Sequence, residues 1–170
     1  ELTFTAKGEK YAYDAHSFFQ GNPYLIDDLI ELATANAEGG KALDLYCGVG
    51  LFALPLARKF EKVLGIEANE KAIEFANKNA ANARLSNLEF FNESVGEWLA
   101  DNRLKDVDFV LLDPPRSGAE AETISNLLNK IKPAKIAYVS CDPATLARDL
   151  ALLCAESYEI ESITAIDLFP

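Results

Sequence analysis

Apolar positions along the chain switch between two patterns. Short unbroken runs alternate with stretches in which apolar residues recur every three or four positions. The first pattern marks strands buried on both faces and the second marks helices with one covered face. Leu2 to Tyr13 predicts a hairpin turning near Gly8. Asn22-Pro23 predicts a helix start, with Asn as cap and Pro in the first turn, followed by a face of Leu25, Ile26, Leu29, Ile30 and Ala33. Lys41 to Tyr46 is the first core strand, and a helix from Leu51 to Lys59 follows a glycine loop. Val63 to Glu67 is the second strand, and Asn69 caps a helix carrying Ile73, Ala76 and Ala80. Leu88 to Phe91, a helix around Trp98, Val107 to Asp113, a helix through Leu127 and Leu128, and Ile136 to Ser140 continue the alternation. Leu146, Leu150 and Leu153 line another helix, and Tyr158 to Leu168 predicts a last strand. Strand and helix in regular alternation imply βα units, a mostly parallel sheet and a doubly wound α/β fold.

Composition narrows this picture. A chain of 170 residues, 49% apolar, makes one domain (residues 1–170), with 1–21 as a lead-in hairpin and loop and 22–170 as the core. No apolar run approaches the ~20 residues of a membrane helix, and no secretory signal is present. Cys47, Cys141 and Cys154 form no CxxC pair, and His16 is the one histidine, which argues against a zinc site. Scattered thiols without a signal predict a reducing, cytoplasmic setting. A net charge of −11 argues against broad phosphate binding by these residues alone, so a nucleic-acid substrate requires another domain for its grip. The absence of methionine predicts a fragment or a processed product.

Gly48 and Gly50 follow a strand and precede a helix, where bare backbone and unpaired N–H groups let a ligand approach. Glu67 closes the next strand, placed to accept from both hydroxyls of a ribose. Together they predict a nucleoside-cofactor site. Gly48-x-Gly50-x-x-Ala53 with a later acid also fits the dinucleotide fingerprint, so spacing alone does not choose the cofactor. Asp44 at the strand end and the run Asp113-Pro114-Pro115 favour S-adenosylmethionine. Cys141 stops an apolar run at the mouth of the sheet, where α/β folds place their chemistry.

Four ordered runs carry a resemblance: Ser17-Phe18-Phe19-Gln20-Gly21-Asn22-Pro23, Leu43-Asp44-Leu45-Tyr46-Cys47-Gly48-Val49-Gly50, Leu111-Leu112-Asp113-Pro114-Pro115-Arg116-Ser117-Gly118, and Tyr138-Val139-Ser140-Cys141-Asp142-Pro143 through Asp149. Together they resemble the catalytic domain of the RNA uracil-C5 methyltransferases, which make 5-methyluridine in transfer and ribosomal RNA. The resemblance implies a Rossmann-like S-adenosylmethionine-dependent domain. It implies cofactor contacts at Gln20, Tyr46, Glu67 and Asp113, a further contact aligned with Ser94, and Cys141 as the nucleophile. RNA is the implied partner, held through the longer parent protein; the residues themselves leave the oligomeric state open, with a monomer favoured. The family continues Asp-x-Phe-Pro into Thr-x-His-x-Glu, whose glutamate is the general base. Here Asp167-Leu168-Phe169-Pro170 begins that motif, which predicts a truncated final strand and a missing base.

A thiolate adding to C6 of uracil makes C5 nucleophilic toward the methyl group, which is covalent catalysis. The helix opening at Pro143 helps lower the Cys141 pKa, and Asp142 opposes this unless it caps the helix. Arg116 is the candidate for holding a uracil oxygen or a phosphate. Cys154 is expected in the core, Cys47 as a packing residue of the loop, His16 as a local hydrogen-bonding residue, and at least one of Phe18 and Phe19 in the core. Three other functions fit parts of the pattern. An amino-group methyltransferase is disfavoured because Arg116 stands where an aromatic is usual. A nicotinamide-dependent oxidoreductase shares the glycine loop. An isolated cofactor-binding module without turnover fits the missing glutamate.

Overall fold

The computed structural model describes residues 1–14, 22–102, 104–156 and 158–168. Strands β1 (Leu2–Ala6) and β2 (Glu9–Tyr13) form the antiparallel hairpin. The main sheet contains β3 (Gly39–Leu45), β4 (Phe60–Glu67), β5 (Leu88–Asn92), β6 (Phe109–Leu112) and β7 (Lys135–Tyr138). Its strands run in the order β5-β4-β3-β6-β7, and every pairing is parallel. The order reverses beside β3, the strand from which the chain winds outward in both directions. All five carboxyl ends therefore share one edge of the sheet, and the site lies along it.

Alternation along the strands builds two cores. Leu43, Leu45, Leu64, Ile66, Val110 and Leu112 face α4 (Val95–Asp101), α5 (Ala121–Asn126) and Leu153 of α6 (Pro143–Glu156). Ala42, Val63, Phe109 and Leu111 face the hairpin, α1 (Ile26–Ala33) and α2 (Ala53–Ala57). The doubly wound arrangement expected from the pattern is thus found. Helix α3 (Glu70–Asn82) starts where the sequence predicts, with the Asn69 side chain accepting from the Lys71 and Ala72 N–H groups.

Several elements differ from expectation. Asn22 does not cap α1: its Oδ1 accepts from Tyr24 N two residues before the helix opens at Ile26, so its side chain closes a local turn instead. Helix α2 is a short Ala53–Ala57 piece, because Leu51 and Phe52 still belong to the turn that follows Gly50. The helix through Leu127 loosens into a π turn over Leu127–Ile131, closed by Lys132 in the left-handed region. Residues 158–168 form no strand. Their alternation slips between Ile160 and Ile163, which are exposed, while Ile166 and Leu168 pack on the first core. Cys154 is exposed, not buried. Helix α6 follows the sheet's edge strand, so its covered stripe is narrow and ends with Leu153. Cys47 is buried as expected. His16, Phe18 and Phe19 lie outside the described residues.

Candidate active site

The β3 strand ends in a turn built on unusual backbone. Tyr46 holds φ +66 with its N–H on the Ile66 carbonyl (2.9 Å), and Cys47 donates to the same oxygen (3.1 Å). This double bond to β4 lifts the chain out of the sheet and into the glycine turn. Gly48 and Gly50 both have positive φ, +53 and +88. They face different surroundings. Among the described residues, a Cβ on Gly48 meets nothing within 4 Å, whereas one on Gly50 lies 2.9 Å from Leu54 Cδ1. Gly48 therefore borders open space, and Gly50 lets the turn close on α2. Glu67 fixes the loop from the neighbouring strand, its Oε2 accepting from Gly48 N (3.2 Å) and its Oε1 from Asn69 N (2.8 Å).

Two more carboxylates stand on this edge. Asp44 is fully buried and, among the described residues, neither of its oxygens completes a hydrogen bond. Burial raises its pKa well above the carboxylate range, with the charges of Asp113 and Glu67 adding to the rise and the nearby Ala53 N–H opposing it. Asp113 follows β6, and burial raises it to about 7. Among the described residues, no group of three His, Cys, Asp or Glu side chains gathers closely enough to hold a metal ion. The acids instead gather at the strand ends beside the glycine turn, and burial favours the protonated forms of Asp44 and Asp113. Ser94, beyond β5, caps α4: its Oγ accepts from Glu97 N (3.3 Å) and donates to Glu97 Oε2 (2.6 Å). Gln20 lies outside the described residues.

Cys141 is exposed at the same edge, just past the end of β7. Strands β3 and β7 flank β6, so the strands leading to the glycine turn and to Cys141 lie two strand spacings, ~10 Å, apart. Asp142 caps α6: its Oδ1 accepts from Ala144 N (2.9 Å) and Thr145 N (3.0 Å). These bonds hold its carboxyl below the usual range, and the Arg116 charge adds to the effect. The negative charge beside Cys141 is thereby committed to the helix end. Arg116 is exposed in the loop after Asp113, close enough for its charge to act on Asp142. The edge thus unites Tyr46, Gly48, Gly50, Glu67, Asp113, Arg116 and Cys141.

A family model described as tRNA (uracil-5-)-methyltransferase matches residues 1–170. The chain belongs to that family. An uncharacterized RNA methyltransferase of Bacillus cereus is 40% identical over 172 residues, covering 95% of this chain and 36% of that protein. The 23S rRNA (uracil(1939)-C(5))-methyltransferase of Haemophilus influenzae is 39% identical over 168 residues, covering 96% of this chain and 38% of that protein. Among solved structures, the tRNA (uracil-54, C5)-methyltransferase of Pyrococcus abyssi, in complex with S-adenosyl-L-homocysteine, matches with a TM-score of 0.87 at 37% identity. That match covers 99% of this chain and 41% of the other. This member of the tRNA (uracil-5-)-methyltransferase family therefore spans about two fifths of the length of such relatives.

Sequence reasoning missed two buried polar residues that shape this edge, Asn79 and Asp149. Both were visible as polar side chains inside an apolar helical stripe: Asn79 beside Ala76 and Ala80, and Asp149 between Leu146 and Leu153. A polar residue on a buried face requires partners, which is the signal that marks them. No helix among the described residues is long and apolar enough to cross a membrane.

Proposed function

We propose that the chain is the S-adenosylmethionine-binding, nucleophile-bearing part of an enzyme that methylates C5 of uridine in transfer or ribosomal RNA. The observation carrying this is the exposed Cys141 on the same sheet edge as a glycine turn lined by carboxylates. When bound, S-adenosylmethionine supplies an electrophilic methyl group on a cationic sulfur. A site holding Glu67, Asp113 and the unpartnered Asp44 favours such a cation, and the open side of Gly48 leaves room for it. Glu67 retains accepting capacity for ribose hydroxyls beyond its two main-chain bonds. Tyr46, Gly50, Asp113, Ser94 and Gln20 complete the proposed cofactor contacts.

In this reading Cys141 Sγ forms a bond to C6 of the target ring. The C5=C6 pair moves onto C5 and the C4 carbonyl, leaving C5 ready to accept the methyl group. Once C5 has bonded to the methyl carbon, its proton leaves to a base beyond these residues, and the C5–H electron pair re-forms the C5=C6 bond. The C6–Sγ bond breaks, its electron pair returning to sulfur as thiolate. The ring must stand clear of its stack to meet an exposed thiol at the rim. Arg116 is proposed to hold a uracil oxygen or a flanking phosphate.

Two measurements test this. Calorimetry should show binding of S-adenosylhomocysteine and none of NAD; the reverse overturns the cofactor assignment and favours an oxidoreductase. RNA carrying 5-fluorouridine, which has no C5 proton to lose, should accumulate a covalent protein–RNA complex in the presence of S-adenosylmethionine. Cys141→Ala should abolish it. Methylation of ordinary RNA without such a complex rules out the covalent route.

A further inference from the structure

Asp149 is an acid buried within the apolar stripe of α6. Its Oδ2 accepts from the Tyr138 hydroxyl (2.5 Å) and from Ala119 N (2.8 Å), and its Oδ1 accepts from Arg148 Nε (2.7 Å). Arg148 in turn donates from Nη2 to the carbonyls of Ser117 and Ala119, both at 3.1 Å. Thr145 Oγ1 reaches the Arg116 carbonyl (3.3 Å). The loop lies so close that a side chain at Gly118 starts 2.5 Å from Arg148 Nη2 and 2.7 Å from Asp149 Oδ2.

One carboxylate therefore joins three pieces of chain: the end of β7, the loop after Asp113, and α6. Cys141 lies in the short span between Tyr138 and α6, so both of its flanks are tied to Asp149. Arg116 lies on the loop that the same carboxylate and Arg148 fasten. Removing a carboxylate from water is costly, and apolar packing of equal volume often stabilises as well or better. A buried acid satisfied by donors from three segments fixes geometry instead.

We propose that Asp149 and Arg148 are positioning residues that hold the Arg116 loop against the Cys141 turn, setting the guanidinium beside the thiol. Their value for catalysis rests on the methyltransferase reading above; the placement itself does not.

The test reads placement through the thiol. Cys141 of the purified chain is alkylated with iodoacetate, which is anionic, and with iodoacetamide, which is neutral, and the modification is located by peptide mass spectrometry. A cation held beside the thiol raises the anionic-to-neutral rate ratio at Cys141, and Cys154 at the other end of α6 serves as the internal reference. Arg116→Gln should lower the Cys141 ratio by roughly threefold at low salt. Arg148→Met and Asp149→Asn should lower it by a similar factor while Arg116 is still present. Arg148 is half exposed, so its variant should keep the fold even where Asp149→Asn does not. A merely structural role lowers the melting temperature and leaves the ratio at the wild-type value. That outcome in Arg148→Met overturns the proposal, as does an unchanged ratio in Arg116→Gln. If the ratios fall as expected but no RNA complex forms, the placement stands and the methyltransferase reading is the part that fails.

Discussion

The side-chain amide of Asn79 donates to the main-chain carbonyl of Val49 (3.0 Å), between the two glycines of the site. The same side chain accepts from Ala12 N (2.7 Å) and donates to Ala12 O (3.1 Å). Helix α3 thereby clamps the β1–β2 hairpin and the glycine turn to one buried amide. Asn79→Ala leaves these main-chain groups without their partner and should cost ~2–4 kcal/mol in urea denaturation. It should also weaken S-adenosylhomocysteine binding in calorimetry, because the turn loses its rear support. Tyr11→Phe, which removes the hydroxyl's bond to Leu51 O, should cost ~1 kcal/mol.

The two glycines should respond differently to alanine. Gly50→Ala combines a positive φ with a Cβ 2.9 Å from Leu54 and should destabilise by ~1–3 kcal/mol. Gly48→Ala meets no atom of the described residues within 4 Å and should cost ~1 kcal/mol in stability. Its larger effect should be on ligand affinity, since the added methyl enters the space bordering the turn. Comparing melting temperature with the Kd for S-adenosylhomocysteine checks the distinction.

Asp113 makes stability depend on pH. Its pKa rises from 3.8 to about 7 on folding, so the native state holds the proton more tightly than the unfolded chain. Below pH 4 both states are protonated and no penalty exists. Between those two values the unfolded chain ionises first, and stability falls as pH rises, levelling above about pH 7. Asp113→Asn should therefore stabilise the free protein at pH 8, by on the order of 2–4 kcal/mol, and have little effect at pH 4. Relief of Asp44, whose pKa Asp113 helps to raise, adds in the same direction. Thermal melts of both proteins at pH 4, 6 and 8 check the sign.

The thiols divide by environment. Cys47 is buried, and burial pushes its pKa well above the ordinary thiol value, with Asp44 and Glu67 adding to the rise. Cys141 and Cys154 are exposed. Iodoacetamide at pH 8 should modify those two in the native protein and reach Cys47 only after denaturation, as read by mass spectrometry. Cys141→Ala should change stability by less than ~0.5 kcal/mol, which separates its chemistry from its packing.

The five strands of the main sheet, the glycine turn and the acids at the strand ends were legible because each follows a local rule, whereas the strand expected over Tyr158 to Leu168 did not form. Buried strands read as apolar runs, and turns with positive φ select glycine. Asn69 as a helix cap was legible for the same reason, since its partners lie within the next turn. Features that depend on distant neighbours were not. Asn22 has the residue type of a cap, yet its side chain closes a turn ahead of α1 and also donates to Leu168 O from the far end of the chain. Cys154 adjoins an apolar stripe whose width is set by the sheet edge beneath it. Asp149 is meaningful only once Tyr138, Ala119 and Arg148 are seen to meet there. The Cys141 motif pointed to a candidate nucleophile but not to the hydrogen bonds that tie together the segments on either side of it.

Tyr46 sits in a backbone region that a side chain of its kind avoids, at a cost of ~1–3 kcal/mol. Laboratory evolution offers a way to see what that outlay secures. Lineages selected for heat tolerance alone should drift at this position toward glycine or asparagine, which occupy the region freely. Lineages selected in each round for S-adenosylhomocysteine binding should retain the aromatic ring, and the divergence between the two populations would measure how much fitness the awkward residue returns.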